Sequence, residues 1–305
     1  MGGTDFFRNG VLGLFFTASA IASAGGGHLE QLPICYIPGA GGGNENSMVK
    51  FPEILAERGI RMVAIETTNK GNVPTRSKLW TKGLADVLKS EPHFRCHVFA
   101  YSMGGVLVRY SYHHLQVKVS ENKQVPVSDI VASITTFSSP HRGTPLADWL
   151  KQYAPALALG LEDLSEEGMD QFNDPRDDNY SPAPEGIPNF SYGTYMNSRN
   201  EARSTLTKIG FQVIKSSYEN KGRDPRNDGV VPFISQEYGQ RVANFNVDHG
   251  FFTDDIGIRP WAPDVFELHW RELTGTQNDS VADWDDMDRI MDPVDLARVN
   301  FQALR

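Results

Sequence analysis

Two cysteines in 305 residues are too few for a disulfide framework, which excludes a small cross-linked scaffold. Basic residues are also short: 29 Lys and Arg face 38 Asp and Glu, a formal charge of −9. That balance disfavours nucleic acid and strongly anionic surfaces as partners, without selecting a substrate. No internal repeat or low-complexity linker divides the chain. The apolar run at residues 11–18 is too short to span a bilayer. Arg8 precedes it, and Ala22-Ser23-Ala24 follows before Gly25, giving the charge, apolar run and small-residue cleavage pattern of an export signal. A buried first helix is the competing reading, but the glycines at 25–27 would end it with no turn back toward a core. Residues 1–24 are expected to be removed from a secreted or periplasmic protein, leaving residues 25–305 as one large α/β domain.

Short apolar strands expected at residues 32–37, 62–67, 97–101 and 131–138 alternate with helical periodicity at 48–58, 78–89 and 103–116. This is the β/α alternation of a mostly parallel, doubly wound sheet, completed by strands at 189–194 and 241–247. Between residues 149 and 188 the strand signal disappears. Leu150, Tyr153, Leu157, Leu159 and Leu161 give an apolar, partly helical segment, followed by a polar, proline-rich run. Such an insertion is expected to form a helical cap, either fixed or movable as a lid.

The strand at 97–101 runs into Ala100-Tyr101-Ser102-Met103-Gly104 and then directly into a helix. Small residues two before and two after a serine allow the sharp strand-to-helix turn of a nucleophile elbow. An ordinary glycine-containing turn with a surface serine would read the same way, so the rest of the chain decides. The strand at 32–37 ends in Pro38-Gly39-Ala40-Gly41-Gly42-Gly43, a loop able to give one backbone N–H to an oxyanion while the residue after the serine gives the other. Those donors would be Ala40 and Met103. Strand, glycine loop and helix also describe a dinucleotide fingerprint, with Glu66 as the ribose-binding acid; Asn44, where that motif needs a small residue, disfavours it.

A base and its orienting acid should follow the serine in the order serine, acid, histidine. Asn227-Asp228-Gly229 offers the acid in a turn, and a strand delivers Asp248-His249-Gly250. Histidine suits the base because its unperturbed pKa lets it take and return a proton near neutrality, while the carboxylate fixes its tautomer. Asp224, Asp248, Asp254 and Asp255 compete for the acid's role, although adjacent side chains on a strand point apart, which counts against Asp248.

The remaining histidines lack a partner motif. His93, His97, His113, His114 and His269 are expected as structural or surface residues, His28 lies near the start of the mature chain, and His141 is expected to brace its loop. Cys35 and Cys96 fall in strands expected to be parallel neighbours. A bond between them is conceivable, but buried free thiols are expected. The acidic run Asp283, Asp285, Asp286 and Asp288 lacks the spacing and glycine of a calcium loop and reads as a solvated loop before a last helix at 293–304.

In its glycine loop, its elbow, residues 131–143 ending in Ser138-Ser139-Pro140-His141-Arg142-Gly143, residues 164–173, the Asp228 turn and the Asp248-His249 pair, the chain resembles the secreted bacterial triacylglycerol lipases of the α/β-hydrolase superfamily. The likeness spans about residues 31–252. It implies an α/β-hydrolase fold with a cap or lid insertion at about 149–188, Ser102, Asp228 and His249 as catalytic residues, and an oxyanion hole at Ala40 and Met103. It also implies ester hydrolysis through an acyl-enzyme, with no cofactor required for the chemistry and acylglycerol as the expected substrate, met at a lipid–water interface. A short-chain carboxylesterase, an acyltransferase with the same machinery and a non-enzymatic surface-binding module on a decayed hydrolase fold are the alternatives; a dedicated folding partner is unknown. Three departures stand out: Pro38-Gly39 where the family usually has His-Gly, Tyr101 where it usually has His, and Phe251 where many members place a calcium-binding aspartate. Structural calcium therefore stays open, with Asp254 and Asp255 as substitutes.

Overall fold

The computed structural model describes residues 32–41, 55–56, 59–65, 67–68, 70–158 and 160–252. Among these residues eight strands run in chain order: β1 (Ile34–Ile37), β2 (Met62–Ala64), β3 (Cys96–Tyr101), β4 (Gln116–Ser120), β5 (Lys123–Pro126), β6 (Val131–Phe137), β7 (Asn189–Tyr195) and β8 (Gln240–Asn246). Six of them form one sheet in the order β2-β1-β3-β6-β7-β8, every ladder parallel. Parallel strands covered on both faces need near-continuous burial, and β1, β3 and β6 are buried at every position. From β1 the chain moves to one side for β2 and returns on the other for β3. The carboxyl ends of β1 and β3 thus flank a switch point, the crevice in which open α/β sheets place their sites.

Helix α1 (Val73–Ser90) begins five residues before the expected start, because Asn72 Oδ1 accepts the Thr75 N–H at 3.1 Å and Pro74 suits a first turn that needs no donor. Its buried face carries Trp80 and Leu84 at helical spacing, and also Arg76. Each large apolar side chain fully buried there contributes about 2 kcal/mol, more than the roughly 1 kcal/mol of the cap, so packing decides where the helix lies. Helix α2 (Met103–His114) ends two residues short of expectation, and the chain turns at Leu115 into the antiparallel β4–β5 hairpin, of which only Gln116 falls within the expected helix and the remainder has no counterpart among the expected elements.

The segment after β6 contains α3 (Pro145–Tyr153) and α4 (Glu166–Asn173), joined by single turns at 155–158 and 162–164 and followed by an irregular run to β7. Thr144 and Ser165 cap the two helices through their side-chain oxygens. Met169 and Phe172 of α4 are fully buried in the main core. Arg109 of α2 fastens this region: its guanidinium donates to the carbonyls of Phe172 at 2.6 Å, His141 at 3.1 Å and Ser181. Helix α5 (Thr205–Asn220), opened by a Ser204–Thr207 capping box, lies between β7 and the turn that carries Asp228.

The expectation of free thiols is wrong: Cys35 and Cys96 form a disulfide. Cys35 pairs with Val98 across the β1–β3 ladder, so Cys96 sits two residues back on the same face, and the 5.8 Å Cα separation suits a bridge. The expected export signal at 1–24, His28, Asn44, Glu66, Asp254, Asp255, His269, the acidic run at 283–288, the helix expected at 293–304 and nearly all of that expected at 48–58 lie outside the described residues. Among the described residues, no helix is long and apolar enough to cross a membrane.

Candidate active site

The turn from β3 into α2 is an elbow in geometry as well as sequence. Ser102 has φ 52° and ψ −126°, a conformation that L side chains rarely adopt, and its N–H donates to the Phe137 carbonyl of β6 at 2.8 Å. Gly104 is obligatory here, since a Cβ at that position would stand 2.5 Å from the Ile37 carbonyl oxygen of β1.

His249, at the start of the turn after β8, brings Nε2 to 2.9 Å from Ser102 Oγ and Nδ1 to 2.8 Å from Asp228 Oδ2. With Nδ1 protonated toward the carboxylate, Nε2 is the acceptor for the serine hydroxyl. Asp228 is fully buried, and its Oδ1 accepts the N–H groups of Val230 at 2.9 Å and Val231 at 2.7 Å. The His249 N–H also donates to the Asp228 carbonyl at 2.8 Å, so acid and base are joined through backbone as well as side chain. Tyr101, one of the departures from the lipase pattern, gives its hydroxyl proton to the His249 carbonyl at 2.7 Å and packs its ring 5.2 Å from the imidazole.

The glycine loop reaches the elbow closely: a Cβ on Gly39 would lie 3.0 Å from Ser102 Cβ. Behind the loop lies Arg76, fully buried on α1. Its Nη2 donates to the Gly39 carbonyl at 2.8 Å and its Nη1 to the Ala40 carbonyl at 3.0 Å, with Met103 Sδ also 3.0 Å from Nη1. Burial pulls the guanidinium down to about 10, which leaves it charged at neutral pH. One cation therefore touches both segments that could supply oxyanion donors, Ala40 and Met103.

Of the competing acids, the two among the described residues are occupied elsewhere. Asp248 pairs with Arg203 at 2.5 Å and accepts the Arg203 N–H at 2.9 Å, and Asp224 pairs with Arg226 at 2.7 Å. His97, His113 and His114 bond instead to Ser133, the Pro182 carbonyl and the Tyr180 carbonyl, respectively. The buried His141 ring stacks on Tyr238 at 4.3 Å, and its carbonyl accepts from Arg109 and Asn173, the arrangement of a loop brace. Among the described residues, no group of three or more His, Cys, Asp or Glu side chains gathers in a metal-binding cluster; Asp254 and Asp255, the carboxylates named for calcium, lie outside them.

Three residues packed around this site went unread in the sequence: Arg76, and Thr194 and Gln236, which both reach Asp228 Oδ2. Ser138, which meets Thr194, was read only within the 138–143 motif and given no role. A cation on the apolar face of an amphipathic helix was the available signal for Arg76. Thr194 and Gln236 are ordinary polar residues with no local signature.

The architecture is the α/β-hydrolase fold. No family model and no curated protein matches the sequence. Solved structures match the fold. A Bacillus licheniformis lipase in mature form aligns with 80% of this chain and 92% of its own, at 15% identity and a TM-score of 0.58. A Staphylococcus hyicus lipase covers 81% and 96% at 14% identity and 0.57. A metagenomic carboxyl esterase covers 81% and 77% at 13% identity and 0.58.

Proposed function

We propose that this protein is an exported serine hydrolase of carboxylic esters, acting on acylglycerols through an acyl-enzyme on Ser102. The observation that carries the reading is the continuous run Ser102 Oγ, His249 Nε2, His249 Nδ1, Asp228 Oδ2, at 2.9 and 2.8 Å. Serine is a weak nucleophile until an adjacent base removes its proton. His249 takes that proton as Ser102 attacks the ester carbonyl, and Asp228 stabilises the resulting imidazolium. The backbone N–H groups of Ala40 and Met103 receive the oxyanion, each worth about 10² to 10³ in turnover. His249 then protonates the leaving alcohol, and water repeats the sequence in reverse to free the acid. That the structural neighbours include lipases and a carboxyl esterase agrees with this chemistry.

Export is supported by the signal pattern at residues 1–24 and by the Cys35–Cys96 bridge, since disulfides persist in oxidising compartments. The acylglycerol class rests on the apolar segment between β6 and β7, which is read as a cap over the acyl chain. The test is a fluorophosphonate label and rate assays on p-nitrophenyl butyrate, tributyrin and a long-chain triacylglycerol. The wild-type protein should label and turn over all three, and Ser102→Ala should do neither. Undiminished hydrolysis by Ser102→Ala would remove the nucleophile assignment, turnover of the short ester alone would make the protein a short-chain esterase, and transfer to an added alcohol in preference to water would make it an acyltransferase.

A further inference from the structure

Asp228 Oδ2 receives more than the imidazole. Thr194, at the carboxyl end of β7, donates its hydroxyl proton to Oδ2 at 2.7 Å, and Gln236 Nε2 approaches the same oxygen at 3.3 Å. Thr194 Oγ1 lies in turn 2.6 Å from Ser138 Oγ, just past the end of β6. Ser138, Thr194, Gln236 and Asp228 are all fully buried. The two non-glycine residues with positive φ among the described residues are Ser102, at 52°, and Ser138, at 50°. Strained backbone of this kind is kept where a side chain must be aimed, and at Ser138 it brings the hydroxyl to Thr194.

We infer that Thr194, with Ser138 behind it, is a positioning residue that extends the Ser102–His249–Asp228 chain to five side chains; the inference rests on the hydrolase reading above. A threonine hydroxyl has one proton and here meets several acceptors: Asp228 Oδ2, Ser138 Oγ and, at 3.5 Å, Gln236 Oε1. When Ser138 donates to Thr194 Oγ1, the Thr194 proton is directed to Asp228. The two backbone donors to Oδ1 set the plane of the carboxylate, and Thr194 fixes the oxygen that faces His249. Gln236 holds Thr194 itself, accepting its N–H at 2.7 Å and donating to its carbonyl at 2.9 Å. Buried hydrogen bonds in series polarise one another, so the hydroxyls act on His249 through the carboxylate.

The test compares full-length Thr194→Val, Thr194→Ser and Ser138→Ala with wild type. Valine keeps the shape of threonine and removes the donor. Thr194→Val should lower kcat on p-nitrophenyl butyrate about tenfold, the usual scale of a charge-assisted hydrogen bond, with KM within about twofold. Thr194→Ser should restore the rate, and Ser138→Ala should lose less than Thr194→Val. The low-field proton resonance of His249 Nδ1 should move in Thr194→Val and return in Thr194→Ser. Wild-type kcat together with an unmoved resonance in Thr194→Val would overturn the inference. Should that variant fail to fold, Ser138→Ala decides alone, and an unmoved resonance there overturns it equally. The resonance needs no substrate, so it judges Thr194 even if absent fluorophosphonate labelling of the wild type sinks the hydrolase reading.

Discussion

Arg76 Nη2 holds the carbonyl oxygen of Gly39 at 2.8 Å from behind the glycine loop. In a trans peptide, the carbonyl of Gly39 and the N–H of Ala40 point in opposite directions. Drawing the oxygen back toward α1 therefore turns the Ala40 N–H away from α1, the orientation that the proposed oxyanion role needs. Arg76→Met should leave the Gly39 and Ala40 carbonyls without their donor and misalign that N–H, lowering kcat about 10². Arg76→Lys should fall between, because a single ammonium cannot span two carbonyls as a planar fork does. Kinetics on a soluble ester check this, and full turnover by Arg76→Met would show that the loop holds its shape unaided.

Asp228→Asn should be far more damaging than its isosteric shape suggests. An amide facing His249 Nδ1 favours the wrong tautomer, and the cost is about 10⁴ in turnover. Asp224→Asn should stay within about twofold of wild type, since its ion pair with Arg226 is at the surface and such pairs are worth little. Reversal of that ranking would move the acid to the other side of the turn.

The arrangement of the candidate site was legible where a residue carries its own local context. Ser102 stands between small residues at the end of a strand, Asp228 in an Asn-Asp-Gly turn, and His249 directly after a short strand, and the structure joins all three. What was not legible depends on register between distant segments. Ser138 and Thr194 meet 56 residues apart because β6 and β7 end side by side, and Arg76 reaches Gly39 across 37 residues. The disulfide follows from the pairing of Cys35 with Val98, a two-residue offset that separate strand assignments do not contain. The β4–β5 hairpin was hidden by the helical run before it, since Leu115 and Gln116 extend the pattern of α2 until tertiary pairing ends it.

Removal of the bridge by Cys35→Ala with Cys96→Ala should destabilise the protein by about 4 kcal/mol in the chain-entropy account, given a loop of 61 residues. That corresponds to a fall of about 7 °C in Tm for a domain of this size. The bridge joins the strand that leads to the glycine loop with the strand that leads to Ser102, so kcat at low temperature should fall as well. An unchanged Tm in the double variant would mean that the parallel sheet alone fixes the two strands.

His141 should make the protein sensitive to mild acid. Its ring is buried, neither nitrogen has a hydrogen-bond partner, and burial first, then the charges of Arg109, Arg241 and Arg142, keep its pKa well below the ordinary 6.5. The folded protein therefore refuses a proton that the unfolded chain accepts. For a histidine whose folded pKa is depressed, the stability present above the unfolded pKa is lost as pH falls below it, because the unfolded state binds more protons there. Wild-type Tm should decline between about pH 7 and pH 5. His141→Phe keeps an aromatic ring against Tyr238, leaves the backbone carbonyl to Arg109 and Asn173, and removes the titrating nitrogens. Thermal melts of the two proteins across that range should diverge, with the variant declining less; parallel declines would assign the acid sensitivity to other groups.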